Sequence, residues 1–105
     1  MDLKINWTDF SKKELKNIFE YYKEKASLIV ARKLVTSIAK ETLKLKKQAK
    51  IGQEEELLKN DLRAFRYLIY KNFKIIYFIN LENNTIEIFD VFDTRQNPIK
   101  IKRVK

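Results

Sequence analysis

Hydrophobic and polar positions change period midway along this chain. Leu3, Ile5 and Trp7 alternate with Lys4 and Asn6, which is the period of a short half-buried strand. Leu15, Ile18, Phe19, Tyr22 and Ala26 then follow helical spacing, so one face of a first helix is apolar. Ser11-Lys12-Lys13-Glu14 fits a capping box at its start, with Thr8 as a rival cap. Ser27 is placed to cap a second helix whose apolar face is Ala31, Leu34, Val35, Ile38 and Leu45. That helix is expected to end in the basic run Lys44 to Lys50 and to stop at Ile51-Gly52, which holds the single glycine. Gln53 to Glu56 reads as an acidic linker or a short helical turn.

Beyond this point the period is two. Phe65, Tyr67 and Ile69 share one side of a strand, and Arg66 and Leu68 share the other. Tyr70-Lys71-Asn72 is a turn, and Phe73 to Ile79 is nearly continuous in aromatic and β-branched residues, as central strands are. Asn83-Asn84 suits a tight turn because asparagine tolerates positive φ. Thr85 to about Asp93 forms the last strand. The prediction is an α+β fold: an N-terminal strand, a two-helix hairpin, then a three-stranded antiparallel meander with the helices packed on one face of the sheet.

Composition narrows the chemistry. At 105 residues the chain is read as a single domain over 1–105, and it is long enough to bury roughly two-thirds of its unfolded surface. Cysteine and histidine are absent. This excludes disulfides, thiolate nucleophiles and thiolate metal sites, along with the commonest neutral-pH proton carrier. With oxygen ligands alone, no dedicated transition-metal site and no cofactor are expected. The amino terminus lacks a basic region followed by an apolar run, and no stretch approaches 18 apolar residues. The expectation is a cytoplasmic protein without a membrane partner. Net charge is +9, and residues 1–50 carry 13 basic against 6 acidic side chains. Such a balance suits a polyanionic or acidic partner, and it also serves solubility alone.

The run Phe65-Arg66-Tyr67-Leu68-Ile69-Tyr70-Lys71-Asn72-Phe73-Lys74-Ile75-Ile76-Tyr77, followed by a hairpin and Val91-Phe92-Asp93-Thr94-Arg95-Gln96-Asn97-Pro98, resembles the RelE/ParE toxin superfamily. Trp7-Thr8, the helix reaching Tyr21-Tyr22 and the long second helix match the opening of that family. The resemblance covers nearly the whole chain. It implies the toxin of a type II toxin–antitoxin pair, with a cognate antitoxin protein as partner. One branch, like RelE, cuts mRNA in the ribosomal A site. The other, like ParE, poisons DNA gyrase by binding it.

By resemblance, Arg95 aligns with the arginine that RNA-cutting members place near the scissile phosphate, and Lys74 with the basic residue of the strand ahead of the final tyrosine, which is catalytic in RNA-cutting members. Arg66 completes the expected set, so Arg66, Lys74 and Arg95 are the catalytic candidates if the protein is a ribonuclease. Arg66 and Lys74 are expected to face each other near the base of their hairpin, open to an anion. The competing reading has Arg95 stapled to Asp93 or Asp90. Candidate contacts to a partner or to nucleic acid are Arg66, Lys71, Lys74, Arg95, Gln96, Asn97, Lys100, Lys102 and Arg103. The tail residues qualify because Ile99, Ile101 and Val104 alternate with cations. Two departures from the RNA-cutting pattern stand out. Phe78 occupies a position where many relatives have arginine, and no tyrosine or histidine follows Arg95. RNA cleavage needs a proton acceptor, a proton donor and cations, and this sequence is poor in the first two. The ParE-like reading, a gyrase inhibitor acting by binding, is therefore favoured. A ribosome-dependent mRNA endoribonuclease is the alternative, and a non-toxic nucleic-acid- or protein-binding module of the same fold is the third.

Overall fold

Thr8 starts the first helix, three residues earlier than the capping box placed it. The structure, a computed structural model, describes residues 3–95. In it Thr8 is extended, and its hydroxyl accepts the Ser11 amide at 3.1 Å. The Thr8 amide is also anchored across the sheet, donating to the Ile88 carbonyl at 3.1 Å. That second tie fixes the entry point, and Glu14 falls inside the helix. Strand β1 spans Lys4–Trp7, helix α1 Asp9–Lys25 and helix α2 Leu28–Leu43. Ser27 caps α2 as expected, accepting the Val30 amide at 3.1 Å.

Helix α2 does not run on to Gly52. It ends at Leu43 and tightens into a 3₁₀ turn over Lys44–Lys46, a common way to finish a helix. This turn drives Leu45 into the core, where it is fully buried. The stretch read as linker or helical turn divides in two: a short strand β2 at Gln53–Glu54, then a 3₁₀ turn at Glu56–Leu58. Strands β3 (Arg66–Tyr70), β4 (Phe73–Asn80) and β5 (Thr85–Asp93) form the expected meander.

The sheet has five strands in the order β1-β5-β4-β3-β2, with β1 parallel to β5 and the other neighbours antiparallel. Its helix side holds the main core: Ile38, Leu45, Phe73, Ile75, Tyr77, Ile86, Ile88 and Val91. A second cluster, built on Phe65, Ile76 and Phe92, covers part of the opposite face. A bulge in β5 connects the two sets. Tyr77 pairs with Ile88 and Ile76 with Asp90, leaving Phe89 as an extra residue. Phe89 joins the second cluster, and the alternation beyond it is inverted. Asp93, paired with Phe73, is thereby turned to the helix side.

Candidate functional site

The cations expected at one patch occupy three places. Register decides this. The two-residue turn at Lys71-Asn72, with Lys71 at φ 53°, pairs Tyr70 with Phe73. Pairing then proceeds outward, so Lys74 faces Ile69 and Arg66 faces Tyr77. Arg66 and Lys74 are thus not cross-strand partners. Tyr77 lies three positions beyond Lys74, an odd offset, so Lys74 and the Arg66 paired with Tyr77 lie on opposite faces of the sheet.

On the helix side, Arg66 is turned onto the loop that leads into β2. Its Nη1 donates to the Gly52 carbonyl at 2.8 Å and the Lys50 carbonyl at 3.4 Å, and Nη2 lies 3.9 Å from Glu54 Oε1. Tyr77, opposite it, holds the same loop. The Tyr77 hydroxyl donates to the Ala49 carbonyl at 2.6 Å and accepts the Gly52 amide at 3.0 Å. Burial pushes the Tyr77 hydroxyl's pKa up, and the Gly52 amide offsets part of that rise. This phenol is a structural tie.

On the opposite face, Lys74 Nζ forms a 2.5 Å ion pair with Glu55, whose side chain is 3% exposed. It also sits 4.0 Å from the centre of the Tyr67 ring, a cation–π contact. The Tyr67 hydroxyl is engaged in turn, donating to Gln53 Oε1 at 2.8 Å. The recess around Lys74 is bordered by Glu54, Glu55 and Glu56, so its charge is negative on balance.

Arg95 lies at the end of the sheet beside α1. Thr94 fixes the chain there, its amide donating to the Asn72 carbonyl at 2.7 Å. The Arg95 guanidinium reaches back to Asp93, with Nε 3.0 Å from Oδ1 and Nη2 2.6 Å from Oδ2. Nη2 also donates to the Tyr22 hydroxyl at 3.2 Å. The Arg95 bond holds the Asp93 carboxyl at a pKa of about 2, and Asp93 in turn raises that of the guanidinium. Arg95 is stapled to Asp93, one of the two carboxylates that the competing reading named.

Lys71 is exposed on the β3–β4 turn, its Nζ 5.6 Å from the Tyr70 ring centre. Gln96, Asn97, Lys100, Lys102 and Arg103 lie outside the described residues. Among the described residues, no group of three acidic side chains is placed to hold a metal ion, and no helix is long and apolar enough to cross a membrane.

Some participants were not legible in the pattern of the chain. In the sequence Glu55 stands out as one of the acidic stretch Glu54 to Glu56, a weak candidate proton carrier, and Tyr22 as a helix-face residue of the family's opening pattern. Arg63 carries no signal in either pattern. Its guanidinium is bound to Asp61, with Nη2 2.7 Å from Oδ2, and lies 4.7 Å from the Phe65 ring centre and 5.0 Å from that of Phe89. Phe78 packs edge-on against the same two rings. A cation from the loop leading into β3 therefore covers the aromatic face that includes Phe78.

One further surface is apolar. Trp7 from β1, Leu15 and Phe19 from α1, and Val35 and Ala39 from α2 line a groove of about 380 Å³ with Lys12 and Lys16 also at its wall. None of these lining residues is acidic.

Comparisons with known proteins agree with this architecture. A sequence profile of the family described as the ParE toxin of the type II toxin–antitoxin system, parDE, matches residues 5–98. A solved structure of the chromosomal ParDE toxin–antitoxin system from P. aeruginosa is similar, with a TM-score of 0.71 at 18% identity over 87% of this chain and 95% of that one. The toxin–antitoxin complex RelBE2 from Mycobacterium tuberculosis is also similar, with a TM-score of 0.65 at 12% identity over 89% of this chain and 92% of that one. A search of curated proteins gave no significant match.

Proposed function

This chain belongs to the ParE toxin family of type II toxin–antitoxin systems, and from that premise we propose that it acts by binding DNA gyrase and does not cut RNA. The observation that carries this reading is the separation of the three cations. A ribonuclease that uses the RNA's own 2′-hydroxyl needs cations converging on one phosphate, with a proton acceptor and donor beside them. Here Lys74 is matched to Glu55 and walled by glutamates. Arg66 faces the other way, onto backbone carbonyls. Arg95 is matched to Asp93. The Tyr77 hydroxyl is engaged by backbone on both sides. A binding toxin needs none of this machinery, only a surface.

The same reading supplies a cognate antitoxin. Both solved relatives come from toxin–antitoxin pairs, and a protein of charge +9 favours an acidic partner. The site of action is the cytoplasm, where gyrase and ribosomes lie. Induced expression in a bacterial host tests the reading. We expect growth arrest, with cellular mRNAs intact by primer extension and plasmid supercoiling lost. Codon-specific cleavage of ribosome-bound mRNA that disappears in Arg95→Ala would establish the RelE-like alternative instead. Unchanged growth at confirmed expression would remove both toxin readings.

A further inference from the structure

Charge is divided unevenly between the two helices. Residues 9–25, helix α1, carry five basic and four acidic side chains, so the two signs offset one another. Residues 28–50, which take in α2 and the turn that ends it, carry seven basic side chains and one acidic. Six of the nine net positive charges therefore come from this one stretch. Mixed charge such as that of α1 serves solubility, whereas a field of one sign steers a charged partner. Spacing orders these cations. Lys33, Lys40 and Lys44 stand at i, i+7 and i+11, which at about 100° per residue places them within roughly 40° of one helix face. All three are exposed. At a rise of about 1.5 Å per residue the row is about 16 Å long. It continues beyond its first lysine, because Lys33 and Ser37 share a recess of about 280 Å³ with Lys71 of the β3–β4 turn. Glu41, the one acid of the stretch, pairs with Lys44 at 2.9 Å, and so exposed a pair contributes little.

Two observations separate a phosphate backbone from a protein as the occupant of this row. Among the described residues, Leu43 is the one exposed large apolar side chain between Lys33 and Lys47. Protein interfaces are anchored on a well-packed centre of large side chains, whereas contacts to phosphate need only cations and hydrogen-bond donors. The length also fits. Each strand of duplex DNA carries a charge about every 3.4 Å along the axis, so the row spans about five base-pair steps. We propose that the face of α2 bearing Lys33, Lys40 and Lys44, extended by Lys71, holds the phosphate backbone of duplex DNA. This inference rests on the gyrase reading and adds a second contact to it: gyrase acts on duplex DNA, so a toxin seated on that enzyme has this ligand within reach. Lysines on a helix face contact phosphates and read no base edge, so the row orients the toxin on the duplex without choosing a sequence. The Lys44–Glu41 pair gives way to phosphate at small cost, because both partners are partly in solvent.

The test is the salt dependence of binding between the purified full-length chain and a short fluorescent DNA duplex of mixed sequence, followed by anisotropy from about 50 to 200 mM KCl. Four phosphate contacts give log K against log salt a slope of about −3.6. The triple variant Lys33→Gln, Lys40→Gln, Lys44→Gln keeps helix propensity and leaves a slope of about −0.9. The triple variant Lys13→Gln, Lys23→Gln, Lys25→Gln removes the same charge from exposed positions of α1 and keeps a slope of about −3.6. In a supercoiling assay the α2 variant requires about tenfold more toxin for half-inhibition, while its affinity for DNA-free gyrase matches that of the wild type. An equal loss of slope in the two triple variants overturns the row, since net charge would then govern binding. A parallel loss of affinity for DNA-free gyrase makes the row a protein contact and overturns the DNA assignment. Tighter binding to a single-stranded RNA, with the same dependence on the α2 lysines, makes RNA the polyanion and overturns duplex DNA. Row-dependent duplex binding by a chain that leaves supercoiling intact overturns the gyrase reading and not the row.

Discussion

Gly52 illustrates how one residue can be flagged correctly for the wrong cause. As the only glycine, it reads as a helix stop, yet α2 has ended at Leu43, well before it. Its φ is not positive, so backbone freedom is not what the position requires. Space is. A Cβ at Gly52 would lie 2.5 Å from the Tyr77 hydroxyl and 2.7 Å from the Tyr67 carbonyl. We expect Gly52→Ala to destabilise the protein by about 1–3 kcal/mol through overpacking. Tyr77→Phe would cost about 1–3 kcal/mol by leaving the buried Gly52 amide without an acceptor. Urea unfolding of both variants checks this, and an unchanged midpoint in Tyr77→Phe would refute the clamp. The carboxylates set the acid behaviour. Asp61 and Asp93 each have a pKa of about 2 against an ordinary value of 3.8, Asp61 through Arg63 and Asp93 through Arg95. A depressed acid stabilises the folded state above its unfolded pKa and loses that contribution as pH falls through the folded one. Thermal midpoints should therefore fall between about pH 4 and pH 2, less steeply in Asp61→Asn and Asp93→Asn. Added salt should weaken the Asp93 contribution most, because Arg95 is exposed.

At the scale of elements, alternation disclosed β1 and β3, a nearly continuous run of aromatic and β-branched residues disclosed β4, the segment after Asn83-Asn84 disclosed β5, and helical spacing disclosed both helices. What the pattern could not disclose was pairing. β2 is two residues long and exists through its ladder to Tyr67 and Arg66, a tertiary cause invisible in Gln53-Glu54 itself. The parallel contact of β1 with β5 joins residues about 80 apart in the chain. Register was the costly miss. Moving a strand by one residue exchanges its two faces, and the expected meeting of Arg66 with Lys74 did not survive the two-residue turn. The β5 bulge is equally silent in the sequence, yet it turns Asp93, and with it Arg95, toward Tyr22. The buried pair on the opposite face gives a sharp test. Lys74→Met leaves Glu55 charged and unpaired, and should cost about 3 kcal/mol. Adding Glu55→Gln should recover most of that loss. Equal losses in the single and double variants would mean that the pair is not coupled in the fold.

For the molecule as a whole, family membership and fold were readable from the chain, while the disposition of its charges was not. Twenty-three basic side chains suggested a phosphate site, but the three placed nearest the family's catalytic pattern are each matched by a carboxylate or by backbone carbonyls. The surface left for function is broad and basic, with an apolar groove on its helical side. An antitoxin at 100 times its Kd should raise unfolding free energy by about 2.7 kcal/mol, a shift of roughly 10 °C or more in thermal midpoint for a domain of this size. A copurifying protein that leaves the melting curve in place would not be that partner. The account stands most directly on a supercoiling assay with purified gyrase, run beside a ribosome-programmed mRNA assay with the same protein. It predicts dose-dependent loss of supercoiling with the mRNA uncut; codon-specific mRNA cleavage with supercoiling unaffected would contradict it.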